Sequence, residues 1–139
     1  MTNKRPTAKV YIGLLGLDQH EAGALSVTRM LSEAGVEVVY GGRFNLPANI
    51  AAAAVDEDVD LIGLSCHSWE YLYYIDELVA ALAAAGKQVP IVLGGSVITS
   101  KDEADLRERG VAATFGSSST PDQIVSEVVR LAQTARETS

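Results

Sequence analysis

The chain carries one cysteine, Cys66, in 139 residues. A lone thiol closes no internal disulfide, so nothing here speaks for a stapled scaffold from an oxidising compartment. Positive charge is scarce: 11 Lys and Arg stand against 18 Asp and Glu, a net charge of −7. Such a chain sets up no field to attract a phosphate backbone, and nucleic acid is excluded as a partner. Long apolar runs are also missing. The longest are strand-sized, well short of the ~20 residues that span a membrane, so no membrane partner is expected. No apolar stretch of signal-peptide length precedes Gly13, which predicts a cytoplasmic protein. The chain is too short for an eightfold β/α barrel, which needs about 200 residues. What is present, 47% hydrophobic and 21% charged, is the balance of one globular domain rather than a disordered chain.

Apolar runs alternate with helical patterns throughout. Strands are predicted at Val10 to Leu15, Val36 to Tyr40, Val59 to Leu64, Val89 to Leu93 and Val111 to Phe115. Between them, Val27, Met30, Leu31 and Ala34 repeat at helical spacing, as do Leu72, Ile75, Leu78, Val79 and Leu82. Pro47 fits the first turn of a helix through Val55, Lys101 to Arg109 forms a short charged one, and Pro121 opens the last, striped by Ile124, Val125, Val128 and Leu131. Strict alternation of five strands with five helices implies α/β architecture: a single flavodoxin-like, doubly wound domain with a five-stranded parallel sheet in the order 2-1-3-4-5. The domain is expected over residues 9–134, with polar tails at 1–8 and 135–139.

Ligands of such sheets sit beyond the carboxyl ends of the strands. The loops expected there are 16–23, 41–47, 65–71, 94–100 and 115–121. They gather both histidines, the cysteine, the single Trp and seven of the 12 glycines, Gly41 and Gly42 among them. Three common uses of the fold fail on residues. A phospho-acceptor domain needs an acidic pair after the first strand and an Asp after the third; here Asp18 is single and the third strand ends in Ser65 and Cys66. Gly16 to His20 is not a Ser/Thr-rich phosphate loop. Gly13 to Gly16 does not match G-x-G-x-x-G.

The first loop does offer Asp18, Gln19 and His20, followed by Glu21, Ala22 and Gly23. A carboxylate two residues from an imidazole can accept the proton of one ring nitrogen and make the other a better metal donor. One histidine cannot build a tetrahedral zinc site, but a metal already held in a macrocycle needs only one protein ligand. The bland alternative is that Asp18 caps the first helix.

Asp18-x-His20-x-x-Gly23 resembles the D-x-H-x-x-G signature of cobalamin-binding domains. Ser65-Cys66-His67 matches the family's S-x-L in part, and Gly94-Gly95 matches its glycine pair after the fourth strand. The text from Leu46 to Ser65 and from Gly110 to Gly116 is similar to the acyl-CoA mutase branch, and the resemblance covers about residues 8 to 133. It implies an adenosylcobalamin cofactor bound with its dimethylbenzimidazole tail off cobalt and His20 as lower axial cobalt ligand. Asp18 would hold the other nitrogen of His20. The tail would lie between the first helix and the sheet, lined by Ser65, passing Gly94 and Gly95 and covered by the loop from Gly116 and Ser117 to Thr120. The implied role is that of a small subunit, not active alone, in a carbon-skeleton mutase. Its acyl-CoA substrate would lie on a separate large barrel subunit.

Two departures stand out. His67 replaces the Leu of S-x-L, and Leu14 occupies a position where related domains often carry Lys. The stretch Trp69 to Tyr74 is aromatic; its tyrosines read as exposed helix residues or a partner-facing patch. Two rival functions stay open at this point: a corrinoid carrier for methyl transfer, and a cobalamin-binding sensor without catalysis.

Overall fold

The computed structural model describes residues 7–15, 21–66, 71–96, 98–116 and 119–138. Strands β1 (Lys9–Leu15), β2 (Glu37–Asn45), β3 (Leu61–Ser65), β4 (Ile91–Gly94) and β5 (Val111–Phe115) alternate with helices α1 (Glu21–Glu33), α2 (Pro47–Glu57), α3 (Tyr71–Ala84), α4 (Ser100–Glu108) and α5 (Pro121–Thr138). All neighbouring strands pair in parallel, in the order β2-β1-β3-β4-β5. Architecture and strand order are those expected from the sequence.

The period-two geometry of the central strands divides the core. Val10, Ile12 and Leu14 of β1 point to one face, where Ala24 and Leu31 of α1 and Val125, Val128 and Ala132 of α5 cover them. Tyr11 and Leu15 point to the other, against Ile50 and Ala54 of α2 and Tyr71, Ile75 and Leu78 of α3. Because both faces are covered, β1, β3 and β4 read as nearly unbroken apolar runs.

Two boundaries differ from the sequence expectation. The helix α5 continues to Thr138, past the expected tail boundary at 135. Arg136 near its end donates to the Asp60 carboxylate at 3.0 Å, and that carboxylate also accepts from the Lys9 backbone N–H at 2.8 Å. The second difference bears on function. Gly41 and Gly42 do not end β2, which runs on to Asn45. Of the loop expected at 41–47, residues 41–45 are therefore strand, and Leu46 alone separates them from α2 at Pro47. The continuation of β2 is irregular: pairing with β1 shifts register after Ile12 and again between Gly13 and Leu15, and Gly42 and Phe44 both have positive φ, 70° and 65°. Gly41 is there because the Tyr11 ring crosses it; a Cβ would lie 2.0 Å from the Tyr11 hydroxyl oxygen.

Tyr11 is buried, its hydroxyl donates to Asn45 Oδ1 at 2.7 Å, and burial pushes its phenol up to about 12. A group whose folded pKa is raised stabilises fully below its unfolded pKa, near 10, and the contribution is lost as pH climbs through 12. Unfolding free energy should therefore fall between pH 10 and about 12, by on the order of 2 kcal/mol from this residue. Urea midpoints measured across that range should show it, and Tyr11→Phe should flatten the slope.

Candidate functional site

A cleft of about 480 Å³ opens on the α1/α5 face, at the carboxyl ends of β1, β3, β4 and β5. Its origin is a taper in side-chain size. Along β3 the residues facing α1 and α5 run Leu61, Gly63, Ser65; along β4 they run Val92, Gly94. The sheet thus recedes from the helices toward its carboxyl edge. Ala22, Gly23 and Val27 of α1 form one wall and Ile124 and Val128 of α5 the other, while Phe115, Gly116 and Ser119 lie at the rim. No described lining residue is charged; the polar groups are the hydroxyls of Ser26, Ser65, Ser96 and Ser119 and the backbone.

The glycines around this cleft separate into two kinds. Among the described residues, a Cβ on Gly23 would meet nothing within 4 Å, and one on Gly94 would meet only Phe115, at ordinary contact distance of 3.8 Å. The described residues do not require glycine at either place, yet both border the cleft, where a side chain would occupy its space. Gly95 is different: its Cβ would fall 1.7 Å from the Cys66 carbonyl oxygen. Gly116 is intermediate, with Ile98 O at 3.1 Å. The glycine pair after β4 therefore combines an open floor at Gly94 with a backbone-on-backbone contact at Gly95. Cys66 beneath it is buried and its thiol donates to the Gly94 carbonyl at 3.7 Å, the contact of a packed residue.

Of the residues singled out in the sequence, Ala22, Gly23, Ser65, Gly94, Gly95 and Gly116 meet around this one cleft. Asp18, Gln19, His20, His67 and Ser117 lie outside the described residues. Glu21 turns elsewhere: its carboxylate accepts from the Tyr40 hydroxyl at 2.5 Å and stands 3.7 Å from Arg43 Nε. Burial, with that hydrogen bond, holds the Tyr40 phenol well above its ordinary pKa. The aromatic stretch is not uniformly exposed. Tyr71 is buried and donates to Asp102 Oδ2 at 3.1 Å, because its ring fills the α2/α3 core; Tyr73 is exposed and stacks edge-on to Tyr74. Sequence reading missed Phe115, Ile124 and Val128 as cleft residues. Their helical and strand periodicity marks them as core, and only the taper beneath them turns their ends into lining.

The profile of the B12 binding domain family matches residues 8–126. The chain belongs to that family. Among its relatives, the 2-hydroxyisobutanoyl-CoA mutase small subunit of Aquincola tertiaricarbonis is 32% identical over 120 residues, 86% of this chain and 88% of that one. Ethylmalonyl-CoA mutase of Cereibacter sphaeroides is 36% identical over 107 residues, 77% of this chain, but the match spans only 16% of that longer protein. In three dimensions the chain is similar to a cobalamin-binding protein from Desulfitobacterium hafniense. The TM-score is 0.75 at 24% identity, covering 89% of this chain and 58% of that one. The chain is thus a cobalamin-binding domain homologous to small subunits of acyl-CoA mutases. The cleft, without a charged residue among its described lining and with Gly23 and Gly94 bordering it, fits the tail of such a cofactor.

Proposed function

We propose that the protein is the cobalamin-carrying small subunit of an adenosylcobalamin-dependent acyl-CoA mutase and works with a large subunit that holds the substrate. The observation that carries the reading is the apolar cleft at the carboxyl edge, bordered by Gly23 and Gly94, which packing among the described residues does not demand. In this reading the cleft would hold the nucleotide tail of the cofactor and the imidazole of His20 would ligate its cobalt. Asp18 would accept a hydrogen bond from the other ring N–H, fixing the tautomer and raising the basicity of the ligating nitrogen. Gly23 and Gly94 leave room for the tail. The Ser65 hydroxyl, with those of Ser26, Ser96 and Ser119, would supply hydrogen bonds to its polar atoms in an otherwise apolar cleft. Bound adenosylcobalamin supplies a cobalt–carbon bond whose homolysis starts radical chemistry. This chain's part is to hold, orient and shield. The net charge of −7 offers no attraction to an anionic CoA ester, which fits a substrate site on the partner.

The test is a titration of adenosylcobalamin with the protein, followed by absorbance. The visible spectrum should shift to that of the base-off, histidine-ligated cofactor, and His20→Ala should lack the ligated form. Mutase activity on an acyl-CoA should need an added large subunit. A free-cofactor spectrum at saturating wild-type protein would overturn the reading.

A further inference from the structure

The segment 16–20 joins β1 to α1 and carries the residues assigned above to cobalt. Both of its described ends are tied to the same edge strand, β2, by side chains. On the β1 side, Asn45 is buried, with only 4% of its surface exposed. Its amide nitrogen donates to the Leu14 carbonyl at 3.2 Å and to the Gly42 carbonyl at 2.7 Å. Its amide oxygen accepts from the Tyr11 hydroxyl at 2.7 Å and from Asn49 Nδ2 at 2.9 Å. On the α1 side, Tyr40 donates to the carboxylate of Glu21, the first residue of the helix, at 2.5 Å, with Arg43 on the other carboxylate oxygen.

The two ties come from different places along β2. Tyr40 lies with Val38 on the α1/α5 side of the sheet, whereas Asn45 joins Tyr11 beyond the register shifts. The strand reaches Asn45 only through the positive φ at Gly42 and at Phe44. A bulky non-glycine residue at φ 65° costs energy and persists where its surroundings over-determine it. The buried Asn45 network is what fixes it here. Backbone strain, an irregular ladder and a buried amide all serve to place one polar side chain against the end of β1 at Leu14.

We infer that the irregular extension of β2 is a positioning device for the cobalt-ligand loop, with Asn45 and Tyr40 as positioning residues that clamp its two ends. The inference rests on the reading of His20 as cobalt ligand. Neither residue touches the cofactor in this account. By fixing Leu14 and Glu21 they limit where the five residues between can place an imidazole, and so preorganise a ligand whose misplacement weakens the cobalt bond.

The experiment uses the full chain as wild type, Tyr40→Phe, Asn45→Ala and Tyr71→Phe. The last removes a tyrosine–carboxylate hydrogen bond of the same kind on the far face, between Tyr71 and Asp102. Amide hydrogen exchange of the cofactor-free proteins is read at residues 16–20, and adenosylcobalamin affinity by absorbance. Tyr40→Phe should speed exchange in the segment and weaken cofactor binding about tenfold, the low end of the effect of losing an outer partner of a metal-bound histidine. Asn45→Ala should do the same or more. Tyr71→Phe should change neither while lowering stability. Unchanged exchange and affinity in Tyr40→Phe would overturn the clamp. So would faster exchange with unchanged affinity, because the loop's placement would then be irrelevant to the cofactor. A wild-type protein that fails to bind adenosylcobalamin would overturn the parent reading instead, while the exchange arm still judges the clamp.

Discussion

Gly95→Ala should cost about 3 kcal/mol of stability, at the upper end of what an overpacked site loses. The reason is local. The added methyl would lie 1.7 Å from the Cys66 carbonyl oxygen and 2.8 Å from its carbonyl carbon. Backbone atoms cannot rotate aside as a side chain can. The obstruction also sits on hydrogen-bonded strand ends, because Cys66 N–H donates to Gly94 O and Gly95 N–H donates to Phe115 O. Relieving the clash means parting β3, β4 and β5 at the cleft. Urea denaturation should show a lower midpoint with an unchanged slope. Gly94→Ala is the paired control: its nearest neighbour is at 3.8 Å, so stability should stay within about 0.5 kcal/mol of wild type. A Gly95→Ala protein as stable as wild type would mean that the β3–β4 contact is not as described.

Gly23→Leu should do the opposite: leave the fold intact and abolish most cofactor affinity. Gly23 lies in the first turns of α1, where glycine is a poor helix former by about 1 kcal/mol relative to Ala or Leu. Among the described residues a Cβ there meets nothing within 4 Å beyond its own helix, so the substitution should hold or slightly raise the urea midpoint. The new side chain would stand in the space between α1 and the Gly63–Ser65 end of β3. Overfilling that space while the tail is bound should cost about 1–3 kcal/mol, roughly 5- to 150-fold in the dissociation constant for adenosylcobalamin. Gly23→Ala should fall between. Stability kept and affinity lost is the signature of a residue shaped by a ligand. Affinity kept in Gly23→Leu would place the cofactor elsewhere.

Much of this was readable in advance, and the parts that were not have a common cause. Alternation of Val, Ile and Leu runs with helical stripes is a local signal, and it carries the topology as far as strand order. The carboxyl edge follows from topology, so Gly23, Ser65 and Gly94 could be brought together from their places at strand and helix ends. The end of β2 could not. A Gly-Gly step reads as a turn, and what keeps Gly41 and Gly42 in the strand is the Tyr11 ring, 30 residues earlier, and the buried amide of Asn45. The depth of the cleft was hidden likewise. It depends on Gly63 and Ser65 following Leu61 on one face while Ile124 and Val128 hang over them from α5, a coincidence of distant segments. Tyr71 looked like one more exposed aromatic. It is the first residue of α3 and turns inward to Asp102, a partner supplied by the first turn of α4.

The central claim is that His20 ligates cobalt while the cofactor's own base lies in the cleft. Electron paramagnetic resonance of bound cob(II)alamin tests it directly when the protein's histidines carry nitrogen-15. Each cobalt line should split into a doublet, from a single protein nitrogen, and the doublet should vanish in His20→Ala. A triplet, unchanged by the label, would show the cofactor's own nitrogen-14 base still on cobalt and would contradict the account.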